Sequence, residues 1–291
     1  MKKTHLAALT LLAAACSGDL PPRSVLQDLR VLALLATPLE AGPSDSVSVR
    51  AVTFVPGGGT TSASLTETWS FCPFTIGATA SDLCAVPQCE TPLTPVNGAV
   101  TENPGTRAQD CLTRFRSAGA VLPAGLPAQV PPRLEVLFRY VASAPGFESR
   151  EAVLRVPLYP GGVPAAPNAA PKVTALAFGG EALDPGLPPP TGSVGTVPKG
   201  GQLEVRVVLD PLSVQQYQDS SGRTVSEQLF VSFYTTDGRF DFDRGVGLDE
   251  NVNLKDDKVA NRAVPANVYA VAHDDRGGAT VLGPYTVSFT R

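Results

Sequence analysis

The chain has 291 residues with 28 Pro, 27 Gly and 17% charged side chains, at a net charge of −4. That length suggests about two domains, and the Pro density argues against long helices, because Pro removes a backbone donor and clashes with the preceding turn. A hydrophobic content of 43% supplies real cores and argues against wholesale disorder, while a mildly acidic chain without a Lys/Arg run gives no footprint for nucleic acid.

Residues 1–15 have the parts of an export signal. Lys2 and Lys3 form a positive start, Leu6 to Leu12 an apolar run, and Ala13-Ala14-Ala15 a small-residue cleavage context. The run is shorter than the roughly 20 apolar residues that span a bilayer. Cys16 follows directly. Leu12 to Cys16 resembles the lipobox of bacterial lipoproteins, in which the Cys becomes the lipidated first residue of the mature chain. Ala13 stands where that family usually has Leu, and Leu12 lies one position further back. The resemblance implies lipidation at Cys16, a membrane partner reached through that lipid, and a place in the cell envelope at the outer membrane. The competing reading is an ordinary secretory signal with Cys16 incidental. Cleavage removes Lys2 and Lys3 and leaves 21 basic against 27 acidic side chains, a charge of −6.

With Cys16 assigned to lipid, Cys72, Cys84, Cys89 and Cys111 remain. Four Cys in an exported chain predict two disulfides, with three pairings open. The alternative, a Cys₄ metal site, is disfavoured by spacings of 12, 5 and 22, which lack the short paired knuckles of tetrahedral zinc.

Residues 16–24 have tether composition. Leu29 to Ala36 is an apolar stretch interrupted by Arg30 alone. Ser46 to Val52 alternates strictly, the mark of a half-buried strand. Gly57-Gly58-Gly59 closes it as a turn, without the Lys-Ser/Thr of a phosphate loop. Thr66 to Phe71 holds the only Trp, Trp69, and runs into Cys72. Residues 72–118 read as an irregular Cys-rich insertion. Leu134, Val136, Phe138 and Tyr140 alternate, and Val153 to Leu158 closes a first unit over 25–158. Residues 159–171 are a Pro-rich linker, extended and semi-rigid.

A second unit over 172–291 repeats the order. Val173 to Phe178 is a strand, 179–200 a long Gly/Pro loop (Gly200-Gly201 a turn), Leu203 to Leu209 an alternating strand, Leu229 to Tyr234 a core strand. Val268 to Ala272 and Tyr285 to Phe289 form a closing pair. Strands at such spacing predict an all-β chain of two antiparallel β-sandwiches in tandem. Val268-Tyr269-Ala270-Val271-Ala272-His273-Asp274-Asp275-Arg276-Gly277-Gly278 resembles a late strand and turn of bacterial immunoglobulin-like modules. Val31 to Pro38 and Ser46 to Val52 resemble the same class. The whole is similar to two-domain lipoproteins of bacterial envelopes, which implies an Ig-like fold and no particular activity.

The acidic stretch Asp237, Asp241, Asp243, Asp249, Glu250, Asp256 and Asp257 is the sharpest chemical feature. Asp241, Asp243, Asp249 and Glu250 are the candidate ligands of a hard cation such as Ca²⁺, with Asp274 and Asp275 near if the closing pair lies alongside. EF-hand spacing is missing, and the alternative is a solvated loop. No other cofactor is expected. His273, the single His of the mature chain, would have to serve any Ser-His-Asp hydrolase; no G-x-S-x-G elbow occurs, and a surface role fits better. Trp69 fits a sandwich core better than a sugar platform. The expectation is therefore a binding or scaffolding protein without catalysis, its partner an envelope protein or a glycan, with 72–118 as contact surface. A carbohydrate-binding or adhesion module and an envelope hydrolase are the alternatives.

Overall fold

The computed structural model describes residues 23–57, 65–75, 84–117, 132–219, 222–256 and 265–290, the side chains of 115–117 excepted. Cys16, the export signal, Gly58, Gly59, Asp257 and residue 118 lie outside the described residues.

The first half runs β1 (Arg30–Thr37), β2 (Val47–Phe54), β3 (Thr66–Cys72), β4 (Thr91–Leu93), β5 (Ala99–Glu102), α1 (Pro104–Ser117), β6 (Leu134–Ser143) and β7 (Arg150–Leu158). Two sheets face each other, β1-β2-β5 and β4-β3-β6-β7. Inward residues of both form one core, including Val47, Val49, Val100, Phe71, Val136, Phe138 and Leu158. Trp69 belongs to this core at 4% exposure, its ring 4.5 Å from that of Tyr140.

The Cys-rich segment is therefore not an insertion outside the sandwich. It supplies β4 and β5, one strand to each sheet, and α1. The helix starts as local chemistry dictates: Asn103 Oδ1 accepts from the Thr106 amide at 2.8 Å, and Pro104 takes the first helical position, where its missing N–H costs nothing. Cys72 pairs with Cys84 and Cys89 with Cys111. The second bridge is buried in the core and ties α1 to the turn ahead of β4.

The second half runs β8 (Val173–Phe178), β9 (Glu181–Leu183), β10 (Ser193–Val197), β11 (Gln202–Leu209), β12 (Gln216–Gln218), β13 (Thr224–Ser226), β14 (Phe230–Thr235), β15 (Arg239–Phe240), β16 (Arg244–Val246), β17 (Asp249–Lys255), β18 (Ala266–His273) and β19 (Ala279–Phe289). Its sheets are β10-β19-β18-β14-β16 and β15-β17-β11-β8-β9, with β12 and β13 as a separate two-stranded ribbon. The repeat read from the sequence is a repeat of topology. β1, β2 and β5 correspond to β8, β11 and β17, while β4, β3, β6 and β7 correspond to β16, β14, β18 and β19. The stretch 179–200 is more than a loop, since it carries β9 and β10, the latter pairing in parallel with β19. The acidic stretch likewise holds β15, β16 and β17.

The halves do not stand apart on a spacer. A separate apolar cluster joins Leu26, Leu32, Ala33 and Phe54 of the first to Tyr269 and Val271 of the second. β1 is thus buried on both faces: Leu34 and Ala36 point into its own core, Leu32 and Ala33 into the seam. Each of the two buried Leu side chains contributes about 1.5–3 kcal/mol relative to exposure, and each Ala less. Backbone pairing adds to this, with the Thr235 amide donating to Ser24 O and the Leu26 amide to Thr235 O, both at 2.8 Å. Residues 23–24, assigned to the tether, are already part of the folded body. The linker is stitched down as well: the Thr280 hydroxyl donates to Pro171 O at 2.6 Å, and Asn168 is 7% exposed.

A candidate binding cleft between the two sandwiches

The β18–β19 turn explains the Asp-x-x-Gly-Gly pattern residue by residue. Asp274 Oδ1 accepts from the backbone amides of Arg276 at 2.9 Å and Gly278 at 2.6 Å, closing the turn. Gly277 sits at φ +97°, a conformation glycine adopts freely. A Cβ on Gly278 would lie 2.1 Å from Asp274 Oδ2 and 3.0 Å from Leu39 of the first half. Only glycine lets the turn press this close to the neighbouring sandwich.

The turn places Arg276 in the seam. Its guanidinium donates to Glu40 of the first half through Nη2 and to Glu227 through Nη1 at 2.9 Å. Both carboxylates are buried, with side-chain exposures of 1% and 0%. Asn168 completes the contact, giving its amide N–H to Glu40 Oε2 at 3.1 Å and its Nδ2 to Asp274 Oδ2 at 3.2 Å. Burial pushes the Glu227 and Asp274 carboxyls up; for Asp274, donors from Gly278, Arg276 and Asn168 oppose it. Burial would lower the pKa of Arg276, but Glu40 and Glu227 outweigh it and hold the guanidinium charged.

Beside this network opens a cleft of about 840 Å³. Arg133, Glu135 and Tyr159 of the first half form one wall, Gln216, Tyr217 and Arg276 of the second the other, and Pro164 and Ala166 lie between. The volume falls within the range of small-molecule and oligomer sites. Arg276 lies 4.9 Å over the Tyr217 ring, and the Tyr217 hydroxyl donates to Asp275 at 3.2 Å. The Tyr159 hydroxyl donates to Glu40 at 3.4 Å. Burial raises both phenol pKa values, so both remain neutral donors. The cleft thus presents two phenols, two side-chain amides, the carboxylates of Glu135 and Asp219, and two guanidinium groups. Its builders Glu40, Asn168, Glu227 and Arg276 were missed from the sequence. One signal existed: Asn168 is the single hydrogen-bonding side chain between Pro160 and Pro171.

The candidate cation ligands are not brought together. Asp241 accepts from the Asn253 amide and Nδ2, both at 2.8 Å, and from the Phe242 amide at 3.0 Å. Burial raises its pKa, but these donors and Lys255 hold it below the usual carboxylate range. Asp249 forms a bidentate pair with Arg206 across β17 and β11, at 2.7 and 2.5 Å. Glu250 lies across the Gly245 backbone, and Asp243 is exposed. Among the described residues no three His, Cys, Asp or Glu side chains form a metal-holding group.

His273, expected at the surface, is half-buried. Its ring stacks on Phe230 at 4.9 Å, with Arg244 4.4 Å above the Phe230 ring. Burial, aided by Arg244, pushes its pKa down to about 4. The Asp274 carboxylate is occupied by the turn amides and Asn168.

No family model and no curated protein matches the sequence. Among solved structures, the fibronectin(III)-like modules of Clostridium thermocellum CbhA are similar at 9% identity and a TM-score of 0.23, over 90% of this chain and 92% of that one. Murine CEACAM1b is similar at 8% identity and a TM-score of 0.21, over 90% of this chain and 100% of that one. At these scores the likeness carries no argument, and the sandwich assignment rests on strand order and pairing alone.

Proposed function

We propose that the protein is a lipid-anchored cell-envelope binding protein, held at the outer membrane through Cys16, and that it binds its ligand in the cleft between the two sandwiches. The observation that carries this is the cleft of about 840 Å³ walled by both halves, with Arg276 fixed at its side by Glu40 and Glu227. Sites at domain junctions with a few convergent polar groups are the usual place for a ligand. The segment 72–118 is the poorer choice. Deleting it removes β4, β5, α1 and all four disulfide-bonded Cys, so a lost activity would report unfolding.

The role needs no catalytic step, and the pairing of His273 with Phe230 instead of Asp274 supports a non-catalytic reading. A glycan is the favoured ligand class, because phenol rings beside amide and carboxylate groups suit sugar faces and hydroxyls. Trp69 takes no part, being buried in the first core. Glycan and peptide arrays probed with the full chain test the reading. Tyr217→Ala and Arg133→Glu should each weaken the captured ligand about tenfold, or about 1.4 kcal/mol, with an unchanged melting temperature. Binding that survives both substitutions removes the cleft as the site.

A further inference from the structure

We propose that a second face, centred on Arg23, Arg30 and Arg244, docks the protein flat against anionic lipid headgroups. A groove of about 540 Å³ opens where the chain enters β1, with these three Arg around Ser232, Tyr234 and a single acid, Asp243. The mature chain carries −6 overall, so three cations in one groove are a local reversal of sign. Among the described residues none of the three forms a salt bridge. Arg30 donates to the Arg23 carbonyl, and Arg244 lies over the Phe230 ring.

Apolar groups flank the cations. Phe242 is 68% and Val246 71% exposed, on either side of Arg244. Pairing of β16 with β14 sets Arg244 opposite Ser232 and Val246 opposite Phe230, so both Arg244 and Val246 stand on the outer face of that sheet. Cations interleaved with exposed apolar side chains are what an interfacial membrane contact requires: charge for the headgroups, apolar groups for the acyl boundary.

The length of the tether supplies the occupant. Ser24 and Leu26 are paired to Thr235 of β14, and Arg23, the first described residue, lines this groove. Seven steps separate Cys16 from Arg23, and seven extended residues reach at most about 25 Å. A lipid on Cys16 therefore keeps its attachment point within that distance of Arg23, which shares the groove with Arg30 and Arg244. This step rests on the anchor reading; the charge and the exposed apolar pair do not.

The test places a reporter at the face. Val246→Trp is made in the full lipidated chain, where the native Trp69 is buried. The chain is mixed with vesicles of phosphatidylcholine, or of phosphatidylcholine with phosphatidylglycerol, each with lipids brominated near the headgroup. The reporter is expected to be quenched in the anionic vesicles only. The quenching should be lost with Arg30→Glu and Arg244→Glu together, and in about 0.5 M salt, where the Debye length is roughly 4 Å. A reporter at Leu187, exposed between β9 and β10 at the opposite edges of the sheets, should stay unquenched. Equal quenching of the two reporters, or none at Val246→Trp, overturns the docking face even if the protein floats with both vesicles. Flotation with anionic vesicles alone supports the face and refutes the lipid anchor. Flotation with neither overturns both.

Discussion

β11 and β18 are eight-residue strands of the same sandwich, one in each sheet, and their sequences differ in kind. β11, Gln-Leu-Glu-Val-Arg-Val-Val-Leu, alternates, with Leu203, Val205, Val207 and Leu209 buried and Gln202, Glu204 and Arg206 exposed. β18, Ala-Asn-Val-Tyr-Ala-Val-Ala-His, is buried from Val268 to Ala272 without a break. Val268, Ala270 and Ala272 fill the second core, while Tyr269 and Val271 fill the seam. An antiparallel sheet with one wetted face gives alternation, and a strand covered on both faces gives a continuous apolar run. The run Leu29 to Ala36 and the run in β18 are thus two halves of one statement, since β1 and β18 meet across the seam.

The strongest test of that comparison is one substitution on each strand's outer face. Val271→Asp puts a carboxylate into the seam, and the expected loss is on the order of 4 kcal/mol, or separation of the halves, because a buried unpaired charge has no partner there. Arg206→Ala on β11 gives up only an exposed pair with Asp249 and should change stability by less than about 1 kcal/mol. Denaturant midpoints compare the two; similar losses would remove the distinction between covered and wetted faces.

Beyond the end of β18 the seam changes from apolar to ionic. Arg276→Met leaves Glu40 and Glu227 buried without their cation, and breaking such a pair costs about 3–5 kcal/mol. The cost should shrink sharply in a background where Glu40 and Glu227 are both Gln, since neutral amides need no counter-charge. Calorimetric melts of the four proteins read this coupling. An Arg276→Met penalty of equal size in both backgrounds would mean that the side chain acts through packing alone.

The sequence showed the parts of the fold that repeat at short range and concealed those that depend on a distant neighbour. The alternation of β2, β6 and β11, the linker, the four Cys and the Gly277-Gly278 turn were legible because each is written within about ten residues. β17 was hidden by Asp249, Glu250, Asn251 and Asn253, residue types depleted in strands, although Val252 and Leu254 alternate within it. α1 was hidden by a disulfide-rich context, despite the Asn103-Pro104 start. The acidic stretch looked like one site because its carboxylates are close in sequence, yet strand pairing sends Asp249 to Arg206 and Asp241 to Asn253. The cleft was the least legible feature. Glu40, Asn168, Glu227 and Arg276 are single polar residues from four segments, and only the packing of the two halves gives them a common purpose.

His273, the last residue of β18, marks where the covered face ends, and it gives a smaller expected effect than the apolar and ionic parts of the seam. Its ring is half-buried against Phe230, and its pKa of about 4 lies below the ordinary 6.5. Between those values the unfolded chain takes up a proton that the folded chain refuses, so stability falls as pH drops from about 6.5 towards about 4. The full shift corresponds to roughly 3 kcal/mol, and partial exposure reduces it to about 2. Glu227 and Asp274, with carboxyl pKa values pushed up by burial, act in the opposite sense, because the folded chain then holds protons that the unfolded one releases. The difference between the wild-type chain and His273→Phe isolates the imidazole. That difference should grow on acidification through this window and be flat above pH 7, and a difference independent of pH would show that His273 is wet.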